Sequence, residues 1–182
     1  MSMTKEEKYR ALLPQVRALM EGEEDMIARM ANMAALLHRA FGFWWTGFYR
    51  VAGGATGIGG SGSAEASAGG QTAGGAADAS GSCSPAELVL GPFQGPPACT
   101  HIAFGRGVCG TAWQSGRTIV VPDVEQFPGH IACSSESRSE IVVPVRDAAD
   151  GIIAVLDIDS EHLATFDDID RRYLEEAVSY LI

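Results

Sequence analysis

The sequence contains no long hydrophobic run. No stretch of it approaches the roughly 18 uncharged apolar residues that mark a membrane-crossing helix, so we expect no transmembrane segment. The first residues, MSMTKEEKYRALL, reach charged side chains before any apolar run, and this order argues against a signal peptide. We therefore expect a cytoplasmic protein that has no membrane partner.

Positive charge is scarce. Lys and Arg number 13 against 23 Asp and Glu, so the formal net charge is −10. A surface of this sign offers no general attraction to nucleic acid, and we expect no nucleic-acid partner. Hydrophobic residues make up 46% of the chain and charged residues 20%. This balance is typical of a folded globular core rather than of a disordered chain.

The cysteines lack the spacing of a zinc ribbon. None of the four, Cys83, Cys99, Cys109 and Cys133, belongs to a C-x-x-C pair. We accordingly expect no metal site and no cofactor. Permanent disulfides are rare in a reducing compartment, so these thiols are either buried and inert or reactive.

Glycine is in excess, and the excess has one main source. Half of the 22 glycines lie between Ala52 and Ser84, where 26 of 33 residues are Gly, Ala or Ser. Such a segment has little apolar surface to bury and cannot offset the entropy lost on ordering. We therefore predict a disordered low-complexity insertion over residues 52–86, between two strands of a single domain that spans residues 1–182.

The rest of the chain predicts an α+β domain. Helical periodicity begins after a capping-box pattern at Thr4, covers residues 26–41, and returns over residues 166–181. Apolar and β-branched runs predict strands near residues 43–51, 87–93, 100–104, 118–122, 141–145 and 152–158, with a short helix about residues 110–114. This order favours a central, mostly antiparallel sheet with helices packed on it.

A glycine-rich motif raises the question of a dinucleotide site. Gly105 to Gly110 match the pattern G-x-G-x-x-G, which is weak evidence without its structural context. A dinucleotide-binding fold needs a full crossover helix after the glycines, and only about eight residues precede the next β-branched run. We interpret the segment instead as a glycine turn that holds Cys109 close to backbone.

Three acidic residues are predicted to meet at one end of the sheet. Strand alternation places Ile153, Asp157 and Asp159 on one face, with the two carboxylates about 6.7 Å apart along the strand. Glu140 stands at the start of the neighbouring strand. Such a group is costly unless a cation or a proton meets it. Two interpretations stay open: a solvated strand end that caps the following turn, or a recess for an ammonium group in which one acid is held protonated.

Three of the thiols are predicted in polar loops. Each of Cys99, Cys109 and Cys133 has a His or Arg nearby in the sequence, and such a neighbour can lower the pKa of a partly exposed thiol. This placement favours redox chemistry over inert thiols. Cys83 lies in the insertion without fixed neighbours, and we interpret it as a bystander.

Several longer motifs point to one enzyme family. They are WTGFY from Trp45, LVLGPFQG from Leu88, Ala98-Cys99, GRGVCGTA from Gly105, GHIAC ending at Cys133, SEIVVP from Ser139 and GIIAVLDIDS from Gly151. Together they cover nearly all of the chain outside the insertion. In these motifs the sequence resembles the free methionine-(R)-sulfoxide reductases, which are single GAF-domain enzymes. The insertion is the departure, since it replaces a short turn of that family.

The resemblance implies thiol-dependent reduction of free L-methionine (R)-S-oxide, and not of oxidised methionine within proteins. By position, Cys133 would be the nucleophile that becomes a sulfenic acid, and Cys99 the thiol that resolves it into an intramolecular disulfide. Cys109 would be an alternative resolver or an auxiliary thiol. A reductant of the thioredoxin type would recycle the disulfide.

The resemblance also implies a substrate pocket. Glu140, Asp157 and Asp159 match the substrate-binding carboxylates of the family, and Trp45 would pack against the methylthio end of the substrate. Glu140 is in addition our hypothesis for the acid that protonates the departing oxygen.

Two other functions stay open at this point. One is a non-catalytic GAF module that binds a small ligand such as a cyclic nucleotide, and the other is a peroxide-sensing thiol switch. The sequence also leaves open whether the chain forms a homodimer.

Overall fold

The computed structural model of the protein describes residues 3–53, 85–129 and 136–182. Within these residues the helices are α1 (Lys5–Met20), α2 (Met26–Phe41), α3 (Gly107–Ser115) and α4 (Asp168–Ser179). The strands are β1 (Trp45–Ala52), β2 (Glu87–Gln94), β3 (His101–Ala103), β4 (Ile119–Val121), β5 (Ser139–Arg146) and β6 (Ile152–Ser160). The predicted α+β order is confirmed. No helix in these three ranges is long and apolar enough to span a membrane.

The first two helices begin at side-chain caps. The hydroxyl of Thr4 accepts a hydrogen bond from the backbone N–H of Glu7, and the Glu7 carboxylate accepts one from the N–H of Thr4. The carboxylate of Asp25 accepts hydrogen bonds from the backbone N–H groups of Ile27 and Ala28 in the first turn of α2. These contacts are local in sequence, which explains why both helix starts could be predicted.

The sheet is antiparallel throughout, in the order β3-β2-β1-β6-β5-β4. Helices α1, α2 and α4 cover one face and build the larger hydrophobic core, to which β1 contributes Phe48. Helix α3 covers part of the other face, where Trp45 and Tyr49 of β1 lie. Because alternate residues of a strand point to opposite faces, β1 supplies both layers.

A β-bulge corrects one predicted side-chain direction. Val145 pairs with Ala154 and Arg146 pairs with Ile152, so Ile153 is an extra residue in β6. Ile153 packs against the larger core on the opposite face from Asp157 and Asp159. The prediction that Ile153 shares the face of the acids is therefore wrong, and the alternation holds only beyond the bulge.

The predicted insertion over residues 52–86 lies mostly outside the described residues, but both of its borders are described. Ala52, the last residue of β1, pairs with Glu87, the first residue of β2. The two strands are thus already neighbours where the intervening segment leaves and returns.

Replacing residues 54–84 by a short glycine-containing turn is therefore expected to preserve the fold. Shortening the connection by about three halvings removes roughly 2 kcal/mol of loop-closure entropy, which should raise the free energy of unfolding. Urea unfolding of the full and shortened proteins measures the difference. A large loss of stability would show that the removed segment packs on the domain.

Candidate active site

A recess opens on the α3 face of the sheet, beside the last residues of β6. Its lining comprises Trp44, Trp45, Tyr49, Pro97, Ala98, Ile102, Arg106, Gly107, Val108, Cys109, Ser137, Glu140, Asp157 and Asp159. The space between these atoms is about 550 Å³, including the part open to solvent. Five residues singled out in the sequence thus meet here: Trp45, Cys109, Glu140, Asp157 and Asp159.

Trp45 forms a fixed aromatic wall of the recess. Its side chain is buried, its indole N–H donates to the carbonyl oxygen of Pro96 at 3.0 Å, and its ring stacks on Phe93 with centroids 5.4 Å apart. Gly47 makes room for the indole, because a Cβ at that position would lie 2.4 Å from the ring atom Cη2. The wall is therefore held by contacts on several sides.

The three acids reach the recess from two adjacent strands. Glu140 of β5 pairs directly with Asp159 of β6, and Asp157 lies two residues earlier on the same face. Glu140 and Asp157 are each only 6% exposed. The interpretation of a solvated strand end does not fit this burial, because a buried carboxyl group lacks the water that stabilises its charge.

Burial and mutual repulsion favour the protonated forms of these acids. Burial raises the pKa of Glu140 well above its usual value, and the nearby charges of Asp157 and Asp159 raise it further. Burial likewise raises the pKa of Asp157, and the charge of Asp159 adds to this effect. Burial raises the pKa of Asp159 to about 6, against the opposing effect of a hydrogen bond donated by Ser137. Each of the three carboxyl groups therefore binds its proton more tightly than a solvent-exposed carboxyl group does.

Cys109 differs from its predicted environment. It lies inside α3, not in a loop, and is 4% exposed. Burial raises the pKa of its thiol well above the usual value, and the charges of Asp157 and Glu140 add to this effect. The expected low thiol pKa is thus wrong for Cys109, because desolvation and negative neighbours outweigh Arg106 at the rim.

The glycines of the G-x-G-x-x-G segment explain where Cys109 sits. Gly105 and Gly107 have positive φ angles of 73° and 61°, which permit the tight turn into α3. A Cβ on Gly110 would lie 2.6 Å from the carbonyl oxygen of Ala103, so α3 packs directly on that backbone. The predicted glycine turn is confirmed, and the residue that lies close to backbone is Gly110, directly after Cys109.

The other cysteines are placed differently. Cys99 lies half-buried in the segment between β2 and β3, next to Ala98 of the recess, and is disulfide-bonded. Cys109 is a free thiol. Cys133 and Cys83 fall outside the described residues.

Among the lining residues that were not singled out in the sequence as parts of the site, three carry a hydroxyl or guanidinium group: Tyr49, Arg106 and Ser137. Tyr49 could have been found, because it shares a strand face with Trp45. Arg106 and Ser137 could not, because only the tertiary fold brings these loop residues to the recess.

Asp159→Asn is expected to stabilise the protein in a pH-dependent way. Its raised pKa means that the folded state binds the proton more tightly than the unfolded chain, so wild-type stability falls as pH rises from about 4 to 6. A pKa of about 6 against 3.8 for the ordinary group corresponds to about 1–2 kcal/mol after allowance for solvent screening. The asparagine variant should gain that amount at about pH 7.5 and little at about pH 4.5.

Urea unfolding at the two pH values measures the gain, with Glu161→Gln, at an exposed position just after β6, as the matched control. An equal effect of both substitutions, or a gain independent of pH, would contradict the assigned cause.

Comparison with known proteins defines the class first. Residues 51–181 match the model of the GAF domain family. The chain is 47% identical to GAF domain-containing protein A of Dictyostelium discoideum, over 98% of this chain and 92% of that protein. The chain therefore belongs to the GAF domain family.

Other relatives within that class carry a more specific name. The chain is 38% identical to the free methionine-R-sulfoxide reductase of Escherichia coli strain K12, over 98% of this chain and 89% of that protein. It superimposes with a TM-score of 0.77 on the X-ray structure of free methionine-R-sulfoxide reductase from Neisseria meningitidis in complex with its substrate, at 45% identity, covering 100% of this chain and 90% of that one. The chain belongs to the free methionine-R-sulfoxide reductase family, as its motifs implied.

Proposed function

We propose that this protein reduces free L-methionine (R)-S-oxide to L-methionine. The observation that carries the proposal is the recess, in which three carboxyl groups face an aromatic wall. Family membership supports the same activity, since the relative from Neisseria meningitidis was solved in complex with its substrate.

The recess suits a free amino acid that carries a positive charge. Asp157 and Asp159 receive the substrate ammonium, which supplies the cation that a buried acidic cluster otherwise lacks. The indole of Trp45 packs against the methylthio end. A methionine residue within a protein has an uncharged amide at the corresponding nitrogen, so this arrangement favours the free amino acid.

Cys133 attacks the sulfur of the bound sulfoxide as a thiolate, while Glu140 gives a proton to the departing oxygen. The oxygen passes to Cys133, which becomes a sulfenic acid, and methionine leaves. The substrate sulfur gains the two electrons that the Cys133 sulfur loses. Glu140 suits the role of acid because burial and the neighbouring charges of Asp157 and Asp159 raise its pKa, which favours the protonated form that can give up a proton.

Cys99 then condenses with the sulfenic acid, which forms a Cys99–Cys133 disulfide and releases water. Support comes from Cys99 itself, which is disulfide-bonded while Cys109 is free. Cys109 is a poor resolver because its thiol is buried and its pKa is raised. A thioredoxin-type dithiol reduces the disulfide by exchange.

The two other functions fit the recess less well. A cyclic nucleotide would bring a phosphate anion to three acids, which is electrostatically unfavourable. A peroxide-sensing switch would oxidise the same thiols but release no methionine.

The test is the release of methionine from each epimer of free methionine sulfoxide, with dithiothreitol as reductant. We expect release from the (R) epimer only, and no reduction of an (R)-sulfoxide placed inside a peptide. Equal release from both epimers, or none from either, would overturn the proposal.

A further inference from the structure

Three potential ligand atoms, one sulfur and two carboxylate oxygens, lie close together in the recess. The Cys109 thiol and one carboxylate oxygen each from Glu140 and Asp157 all lie within 4.8 Å of one another, and all three residues are buried. The Sγ atom of Cys109 is 4.0 Å from Oε1 of Glu140. One helix and two strands thus place a sulfur and two carboxylates around one point.

A second, independent observation indicates a missing ligand at this point. Asp157 is only 6% exposed, and its Oδ1 atom has no hydrogen-bond partner. Buried polar atoms are nearly always partnered, so a lone carboxylate oxygen calls for something that binds it. The Asp157 side chain is one of those that line the recess.

We propose that Cys109, Glu140 and Asp157 of the reduced protein bind one Zn²⁺ or Cd²⁺ ion. A thiolate with two carboxylates suits these cations and disfavours Mg²⁺ and Ca²⁺, which prefer oxygen ligands alone. In tetrahedral zinc the sulfur and a ligand oxygen are about 3.5 Å apart, so the 4.0 Å pair needs only a small side-chain shift. On binding, each ligand releases its proton to water.

The ion would exclude the substrate, because it occupies the acids that face the substrate in the recess. This consequence rests on the proposed function, whereas ion binding does not. The metal-free protein is then the working enzyme, and the ion is a reversible inhibitor that a chelator removes. The inference revises the expectation of no metal site, since that expectation rested on cysteine spacing and this donor set forms only in the fold.

Cadmium titration of the full chain tests the site without any substrate. The titrated variant carries the substitutions Cys83→Ser, Cys99→Ser and Cys133→Ser, so Cys109 is its single thiol. A phosphine reductant keeps that thiol reduced. We expect one equivalent of Cd²⁺, detected by the thiolate-to-cadmium charge-transfer band in the ultraviolet. Added Glu140→Gln or Asp157→Asn should each raise the Kd at least about tenfold, while Glu161→Gln, at an exposed position, should leave it unchanged.

Two outcomes would overturn the inference: no cadmium band in the single-thiol protein, or an unchanged Kd in both carboxylate variants. Near-ultraviolet circular dichroism verifies that each variant is folded, and zinc-induced thermal stabilisation gives a second measure of binding. With wild-type protein, Zn²⁺ should raise KM and leave kcat unchanged. If Zn²⁺ leaves KM unchanged while cadmium still binds, the result contradicts the proposed mode of substrate binding. The cadmium titration alone tests the ion site.

Discussion

Cys133→Ser is expected to abolish turnover of free methionine (R)-sulfoxide. A serine hydroxyl is a far weaker nucleophile than a thiolate at neutral pH, and it cannot take the sulfoxide oxygen to form a sulfenic acid. The loss should appear in the first turnover as well as in steady state, because the step removed is the one that releases methionine. Quantifying methionine after mixing reduced enzyme with substrate measures both.

Cys99→Ser separates the attacking thiol from the resolving thiol. With a thioredoxin-type reductant, this variant should release about one methionine per chain and then stall, because the sulfenic acid forms but finds no partner thiol. Cys83→Ser, in the insertion, should behave as wild type. Sustained turnover in the Cys99 variant would transfer the resolving role to Cys109, and appreciable activity of Cys133→Ser would show that another group attacks the sulfoxide.

The elements of the fold were accessible from the sequence because their signals are local. The cap at Thr4 and the apolar periodicity of α2 act over a few residues, and α2 has the predicted bounds, Met26–Phe41. Strand alternation places Trp45 and Tyr49 on one face and Phe48 on the other, as observed. The same alternation put Phe43 with Trp45 and Trp44 with Phe48, which is wrong, because both residues precede β1 and lie in the opposite layers. These signals do not depend on distant parts of the chain.

The wrong predictions for Ile153 and Cys109 concern features that tertiary contacts determine. Ile153 changes face because of a bulge opposite Val145, and nothing in β6 alone reveals that register. The environment of Cys109 was predicted wrongly because α3 begins at Gly107, so Cys109 lies within the helix and is buried against one face of the sheet. A nearby arginine in the sequence says little about the pKa of a thiol when burial is the larger effect.

For the acidic cluster, the sequence predicts the grouping of the three residues but not their burial. Glu140, Asp157 and Asp159 could be brought together from strand pattern, because paired strands place them on one face. Their degree of burial could not be obtained this way, since it depends on Trp45, Ser137 and the start of α3. Burial is what raises the pKa of all three acids at this strand end and so favours their protonated forms.

Glu140→Gln is the sharpest test of that protonation. Glutamine has the shape of the protonated acid and can donate a hydrogen bond, but it cannot give up a proton. We therefore expect the rate of the first methionine release to fall about 10²–10⁴-fold, as is usual when a general acid is lost, with a smaller change in substrate affinity. Rapid mixing of pre-reduced enzyme with substrate measures this rate apart from disulfide recycling.

The same substitution should make the protein more stable at neutral pH. The pKa of Glu140 is raised in the folded state, so its ionisation in the unfolded chain favours unfolding as pH rises above the ordinary glutamate value. Glutamine removes that pH dependence, and urea unfolding should show a gain at about pH 7.5 that vanishes near pH 4.5. The exposed Glu125, changed to Gln, serves as the matched control.

These two results together distinguish a catalytic acid from a structural one. If Glu140 is the proton donor, the Glu140→Gln protein should be slow but more stable than wild type. The wild-type rate should also decline as alkaline pH removes the proton from Glu140. A purely structural role predicts the opposite pairing, in which activity falls because stability falls. A Glu140→Gln protein that releases methionine at the wild-type rate would assign the proton to another group, of which Asp157 is the nearest buried acid.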